Sequence, residues 1–283
     1  MKFLIIQENG RHEKNRNFRE CFSLQRALIT HGQECTVWGL NHTNWKDVID
    51  FNEYDVIINL ENYDETGWVP NLANCKAFKI LWSIDAHCRG MAPYLKTFND
   101  GKYDLILQAT KDFVDDNSVW FPNCFDDTLI QPRTVIKRAD VGFCGNINNR
   151  GQILAILKEQ FNFVVDIFVI GDDMVNAINS YDISFNLNIA NDINYRSFET
   201  IGCKIPLVTN YNPQYEELGF KHRNNCMMYD TNNWKEEIPR QIKELVNDYA
   251  LRHTIADRGY ELSKKHTYIQ RAKHLLKYLA NRI

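Results

Sequence analysis

The chain has 283 residues, a formal net charge of −3, a hydrophobic fraction of 44% and a charged fraction of 24%. These values fit one large or two modest globular domains and exclude disordered, collagenous and uniformly basic nucleic-acid-binding classes. A local basic surface remains open. The first apolar run, Phe3 to Ile6, stops at Gln7 and Glu8, too short for a secretory leader. No stretch approaches the roughly 18–20 apolar residues of a membrane span, so a cytoplasmic location is expected. The eight cysteines are scattered without a Cys-x-x-Cys pair, which suits a reducing compartment and gives no zinc pattern.

Strand and helix signals alternate along the chain. Residues 2–7 read as an apolar strand, and residues 15–30 carry Phe18, Cys21, Phe22, Leu24, Leu28 and Ile29 at helical spacing, closed by Gly32. Residues 35–38, 54–60, 77–83 and 103–108 read as further strands, the last three following more polar, helix-compatible segments. Short, nearly continuous apolar runs between amphipathic helices indicate a parallel sheet covered on both faces. Residues 122–138 hold Pro122, Asp126, Asp127 and Pro132 without periodicity and read as a linker. The alternation then restarts with strand 139–144, helix 153–159, strand 163–170, strand 181–186, helix 195–202, strand 205–209 and strand 226–229. Helices follow from Trp234. At the end, Ile269, Ala272, Leu275, Leu276 and Leu279 form an apolar stripe beside a basic flank of Arg271, Lys273 and Lys277. The expected architecture is α/β, with two Rossmann-like parallel-sheet domains facing one cleft. Residues 1–122 form the first, 123–138 the linker and 139–265 the second, and 266–283 form a helix crossing back to the N-terminal domain.

The most informative block runs from Asn194 to Thr209. A polar cluster opens a helix, Gly202 ends it, and Pro206 leads into a strand. The first helical turn presents free N–H groups and the positive dipole end, and Arg196 adds a full charge, which suits a diphosphate. Glu199 follows three residues later on the same face, where it could accept from two ribose hydroxyls. The same spacing also suits an amphipathic helix whose Arg and Glu merely pair. As a contact on the helix surface, Glu199 is expected to contribute little to stability.

This block, Arg-x-Phe-Glu-x-x-Gly-Cys-x-x-Pro-Leu-Val-Thr, is preceded by Val-Gly-Phe-Cys-Gly-Asn with Arg150 and followed by His266-Thr-Tyr with Arg271-Ala272. Together these resemble the C-terminal domain of GT-B glycosyltransferases, and within them the CgeB-like group, from residue 139 to the end. The resemblance implies that this domain binds a nucleotide-diphosphate sugar donor, a UDP-sugar first. Glu199 matches the ribose-binding Glu, and Arg196 and Arg150 the phosphate-side cations. Gly145 and Asn146 form the loop after the domain's first strand, and Gly171 and Asp172 the turn after the next. Ser197 and Thr200, in the same helix, are taken with them as donor-binding. The pattern departs at Asn191, where many retaining members carry a second Glu.

The N-terminal half is read from its chemistry. The loop after the first strand holds Gly10 and the cations Arg11, His12, Lys14 and Arg16 at what should be the cleft. Gly10 and Arg11 are taken as donor-side residues. Asp85 and His87 follow strand 77–83 directly, where Asp85 could take an acceptor hydroxyl's proton and His87 could orient it or hold a donor phosphate. Phage DNA glucosyltransferases are among the GT-B enzymes with a comparable Asp/His cluster. The plainer reading makes Asp85 a helix cap and His87 a surface residue. Glu61 and Asp64 are weaker candidates, and Trp45, Trp68, Trp82 and Trp120 read as core. No Asp-x-Asp pair stands at a strand end, so no metal is expected; Arg196, Arg150 and the helix N-terminus would neutralise the leaving group. The expected activity is sugar transfer to a hydroxyl acceptor. A hydroxylated DNA base is one acceptor, favoured by the basic Arg11, Lys14, Arg16 and Arg19, although these cations could equally hold donor phosphates or be solvated. A non-catalytic nucleotide-sugar-binding protein is the alternative class.

Overall fold

Runs rich in β-branched and aromatic residues form the strands, and the amphipathic stretches between them form the helices. The computed structural model describes every residue except Arg11 and residues 62–66. In chain order the first elements are β1 (Lys2–Ile6), α1 (Glu20–Thr30), β2 (Glu34–Trp38), β3 (Val56–Leu60), β4 (Phe78–Ser83), α2 (Ala86–Arg89), α3 (Ala92–Asp100), β5 (Leu105–Gln108) and β6 (Ser118–Trp120). Then come β7 (Ala139–Cys144), α4 (Gly151–Gln160), β8 (Phe163–Asp166), α5 (Gly171–Asn179), β9 (Tyr181–Phe185), α6 (Tyr195–Gly202) and β10 (Leu207–Asn210). The last are α7 (Pro213–Glu217), β11 (Met227–Tyr229), α8 (Trp234–Asn247), α9 (Tyr249–Ser263) and α10 (Tyr268–Leu279).

The chain divides into two compact units, Met1–Asn123 with Tyr268–Ile283, and Cys124–Thr267. The first holds a six-stranded sheet in the order β2-β1-β3-β4-β5-β6, with every pairing parallel. The second holds a five-stranded parallel sheet in the order β11-β10-β9-β7-β8. A parallel sheet is covered on both faces, so Phe3–Ile6 and Val56–Leu60 are buried along their whole length. Asn59 is the polar exception in β3, and its amide donates to the Tyr103 hydroxyl at 2.7 Å. In β7, Gly142 is required because the Tyr181 ring lies on it; a β-carbon there would sit 2.2 Å from the ring.

Strand order reverses between β1 and β3 in the first sheet and between β7 and β9 in the second. Crevices in such sheets open at the carboxyl ends of the strands flanking the reversal. The residues at these carboxyl edges follow β1 and β3, with β4 next to them, in the first unit, and β7 and β9, with β10 next to them, in the second.

Several elements differ from the sequence expectation. The helix over residues 15–30 is split, with a 3₁₀ turn at Glu13–Phe18 ahead of α1. The strand expected to run to Ile170 stops at Asp166, and α5 starts at Gly171. From Cys124 onward the stretch read as a linker belongs to the second unit. Cys124, Phe125, Asp126 and Ile130 are buried there, and the Phe125 N–H donates to the His266 carbonyl at 3.2 Å. All eight cysteines are free thiols. Burial raises Cys21, Cys203 and Cys226 to about 12, so they pack as small apolar groups. Among the described residues, no helix is long and apolar enough to cross a membrane.

The C-terminal helix α10 lies in the first unit and packs against α1. Tyr268, Ala272, Leu275 and Leu279 are buried, the Tyr268 ring meets Trp82 edge-on at 6.4 Å, and His31 Nε2 reaches the Ile269 carbonyl at 2.9 Å. Arg271, read as part of the basic flank, is drawn inward. It is buried, with Nε donating to the Pro122 carbonyl at 2.8 Å and Nη2 to the Asn123 carbonyl at 3.2 Å. Two carbonyls at the end of the unit's first segment need donors, and the planar guanidinium fork supplies both from fixed positions. Arg271→Met should therefore lower stability by about 2–4 kcal/mol, the cost of two buried acceptors left unmet. Urea unfolding followed by circular dichroism would show it, and a midpoint unchanged from wild type would contradict it.

Candidate active site

Helix α6 begins at the carboxyl end of the second sheet. Its N-cap, Asn194, makes no side-chain cap bond because its amide exchanges bonds with Asn186 on β9's carboxyl end, at 2.9 and 3.3 Å. The first turn therefore keeps its positive end uncapped by that side chain. Arg196 and Glu199 lie on one face of the helix, with Nη1 2.9 Å from Oε2 and side chains only 16% and 13% exposed. The pair is off hydrogen-bond alignment. Arg196 Nη1 and Nε are both buried and have no hydrogen-bond acceptor among the described residues. Burial works against the Arg196 charge, while Glu199, Cys144, Tyr181 and Cys203 favour it, and the balance raises its pKa. The expectation that Glu199 sits on the helix surface is thus corrected. It is the counter-ion of a largely shielded cation, and its removal would also cost the fold.

The opposite face of α6 packs on the sheet. Ser197 and Thr200, expected to touch a donor, are fully buried. The Ser197 hydroxyl meets the Asn186 amide at 3.0 Å and the Tyr215 hydroxyl at 2.6 Å, and Thr200 Oγ1 meets Ser184 Oγ at 3.2 Å. Helical geometry forces this outcome, because a residue one position from Arg196 or from Glu199 points to a different face.

Gly145 and Asn146 follow β7 as expected, the Gly145 N–H donating to the Asp166 carbonyl at 3.0 Å and Asn146 standing exposed. Arg150 is not an open phosphate ligand. Its Nε and Nη2 donate to the Leu187 carbonyl at 2.9 and 2.7 Å and its Nη1 to the Asn146 carbonyl at 2.9 Å. Burial lowers its pKa, yet the fork ties the loop after β7 to the loop after β9. Gly171 and Asp172 form no strand-end turn; they open α5, and Asp172 pairs with Arg133 at 2.7 Å.

Sequence reading missed a buried amide and hydroxyl network beside α6. Tyr215 is its hub, and its hydroxyl meets Asn188 at 2.8 Å, Ser197 at 2.6 Å and Thr209 at 3.2 Å. Asn210 Oδ1 accepts from the Asn188 N–H at 2.8 Å, Asn188 Oδ1 accepts from the Asn194 N–H at 3.1 Å, and Gln214 Nε2 reaches the Asn191 carbonyl at 3.0 Å. These bonds fix the 187–194 loop that delivers α6. The signal was present as four asparagines within nine residues after β9, Asn186, Asn188, Asn191 and Asn194.

In the first unit, Asp85 is half-buried at the start of α2, just after β4, with His87 two residues on. The Asp85 side chain makes no cap bond. The carboxylate tied down there is Glu61, half-buried at the carboxyl end of β3, which accepts from the N–H groups of Ile84 and Asp85, the latter at 2.9 Å, and from the Tyr94 hydroxyl. Burial raises its pKa, partly offset by those N–H bonds. After β1, Gly10 lies against the Arg19 guanidinium so closely that a β-carbon would come within 2.1 Å of Nη1. Arg16 pairs with Glu13 at 3.5 Å and lies over the Phe22 ring. Arg11 and Asp64 lie outside the described residues. Among the described residues, no three His, Cys, Asp or Glu side chains gather as a metal site requires.

Residues 143–277, just under half the chain, match the model of a glycosyl transferase-like family. No curated protein matches in sequence. Similar solved structures include an alpha-glucosyltransferase in complex with UDP and a 13-mer DNA, at 13% identity over 99% of each chain with a TM-score of 0.69. The Anabaena protein HepE in complex with UDP and glucose aligns over 99% of each chain at 11% identity and a TM-score of 0.65. A sucrose-phosphate synthase from Thermosynechococcus elongatus aligns over 99% of this chain and 98% of its own at 10% identity and a TM-score of 0.66. The two parallel-sheet units are thus those of the GT-B glycosyltransferase fold, and residues 143–277 carry the glycosyl transferase-like sequence pattern.

Proposed function

We propose that this chain transfers a sugar from a nucleotide-diphosphate donor, a UDP-sugar first, to a hydroxyl acceptor. The observation that carries the reading is Arg196. A guanidinium at a helix N-terminus, with two nitrogens shielded from water and lacking acceptors, is matched by the oxygens of a diphosphate. The bound donor supplies the transferable sugar and a diphosphate leaving group. Arg196 and the α6 N-terminus stabilise the charge that grows on that group, from positions fixed before the reaction starts. Glu199, held 2.9 Å from Arg196, accepts from the ribose hydroxyls. Arg150 acts one step back, holding the loops after β7 and β9 in register. In the first unit, Asp85 takes the proton of the acceptor hydroxyl and His87 orients it. The glycosyl transferase-like match over residues 143–277, and similar structures determined with UDP, support this assignment.

A second reading concerns the acceptor. Lys14, Arg16 and Arg19 cluster after β1 in a chain of net charge −3, and three of the similar structures contain DNA, one with an HMU base. A hydroxylated base in DNA fits that pattern. Under this reading, duplex affinity falls steeply with salt and Lys14→Glu weakens it further. Fluorescence anisotropy with an HMU-containing duplex measures both effects; absence of binding to any duplex would assign the acceptor to another class.

For the donor, Glu199→Gln preserves the volume but removes the charged acceptor. It should weaken UDP-glucose binding about tenfold, since charge-assisted hydrogen bonds are roughly twice as strong as neutral ones. Both variants should in addition lower the melting temperature, because each leaves the Arg196 charge without its counter-ion. Calorimetric titration of both variants decides the point; wild-type affinity in each would remove Glu199 from the donor site.

A further inference from the structure

An aspartate at a helix N-terminus ordinarily spends its carboxylate on the helix's own free N–H groups. Asp85 does not: its side chain makes no cap bond to α2. The reason lies in Glu61. Its Oε1 gathers two successive N–H groups, those of Ile84 and Asp85, and the Tyr94 hydroxyl donates to the same carboxylate at 2.9–3.0 Å. In a capping box a glutamate three residues into the helix reaches back to the N-cap N–H. Here that third position is Cys88, and the carboxylate comes instead from the end of the neighbouring strand.

Two features make this delivery possible. Glu61 adopts a left-handed conformation, φ 54°, directly after β3, which turns its side chain back across the end of β4 while its own N–H bonds the Trp82 carbonyl at 2.9 Å. Tyr94, fully buried on α3, then fixes the carboxylate from the far side. Gathering two consecutive N–H groups on one oxygen holds Asp85 at φ −99°, ψ 22°, outside the extended geometry of an N-cap whose side chain folds onto its helix.

We propose that Glu61 is a positioning residue for the transfer reaction: it satisfies the Ile84–Asp85 turn and so keeps the Asp85 carboxylate free to take the acceptor's proton. This rests on the reading of Asp85 as the base. Without Glu61, Asp85 relaxes into an ordinary cap and is lost to chemistry, while the helix keeps a cap.

The test uses the full chain with Glu61→Ala, Glu61→Gln, Asp85→Ala and the Glu61→Ala/Asp85→Ala double variant. UDP release from UDP-glucose, with water as acceptor, is measured beside UDP-glucose affinity by calorimetry. Glu61→Ala should lower kcat about ten- to a hundredfold, within the range of a positioned general base, with affinity unchanged. Glu61→Gln should restore most of the rate, because its carbonyl oxygen accepts both N–H bonds and its amide can meet Tyr94. The double variant should be no slower than Asp85→Ala alone. An Asp85→Ala variant as fast as wild type removes Asp85 as the base, whatever Glu61 does. A slow Asp85→Ala beside a fully active Glu61→Ala overturns the role of Glu61 alone. Amide hydrogen exchange at residues 84–86 reads the same position without turnover. Exchange should speed up in Glu61→Ala and stay slow in Glu61→Gln; unchanged protection in Glu61→Ala contradicts the proposal.

Discussion

Two guanidinium nitrogens shielded from water and left unmet are costly, and such a group calls for an explanation. Arg196 is in that position. Glu199 balances the charge, yet Nε and Nη1 of Arg196 find no aligned acceptor among the described residues. Much of the second unit's carboxyl edge follows from holding that pair in place. The uncapped start of α6, the Asn186–Asn194 exchange and the Tyr215 hub all set where the helix begins and which face turns toward the sheet.

Other polar groups of the second unit are closed: Arg150 spends three nitrogens on two carbonyls, and Ser197 and Thr200 are taken up by Asn186, Tyr215 and Ser184. Within the first unit, Arg271 is likewise spent on the carbonyls of Pro122 and Asn123. The contrast separates scaffold from site better than residue type does. Three arginines carry the same charge, yet two have their forks filled by backbone and one does not. The same contrast holds for carboxylates: Glu61 is saturated by two N–H groups and a phenol, while Asp85 beside it makes no cap bond.

Much of the architecture was legible because parallel sheets buried on both faces leave continuous apolar runs. Strand 139–144 and helix 195–202 were read to their observed ends. The losses have physical causes. The strand read as 163–170 is four residues shorter because Ile167 to Ile170 are apolar yet leave the sheet, and hydrophobicity alone does not report pairing. The site was legible where charge met a helix start, as at Arg196. It was not legible where a polar side chain served the scaffold, because Arg150 and Arg271 differ from a ligand only in which carbonyls lie beside them. Glu61 ranked low in sequence for a related reason. Its importance comes from a left-handed turn and from N–H groups 23 and 24 residues away, neither of which a linear pattern displays.

The central claim is that the unmet nitrogens of Arg196 are the donor's phosphate contact. A crystal structure with UDP-glucose bound tests it most directly. The account predicts diphosphate oxygens within hydrogen-bond distance of Arg196 Nε and Nη1 and ribose hydroxyls on Glu199. A nucleotide bound away from the α6 N-terminus, with Arg196 still unmet, would contradict it.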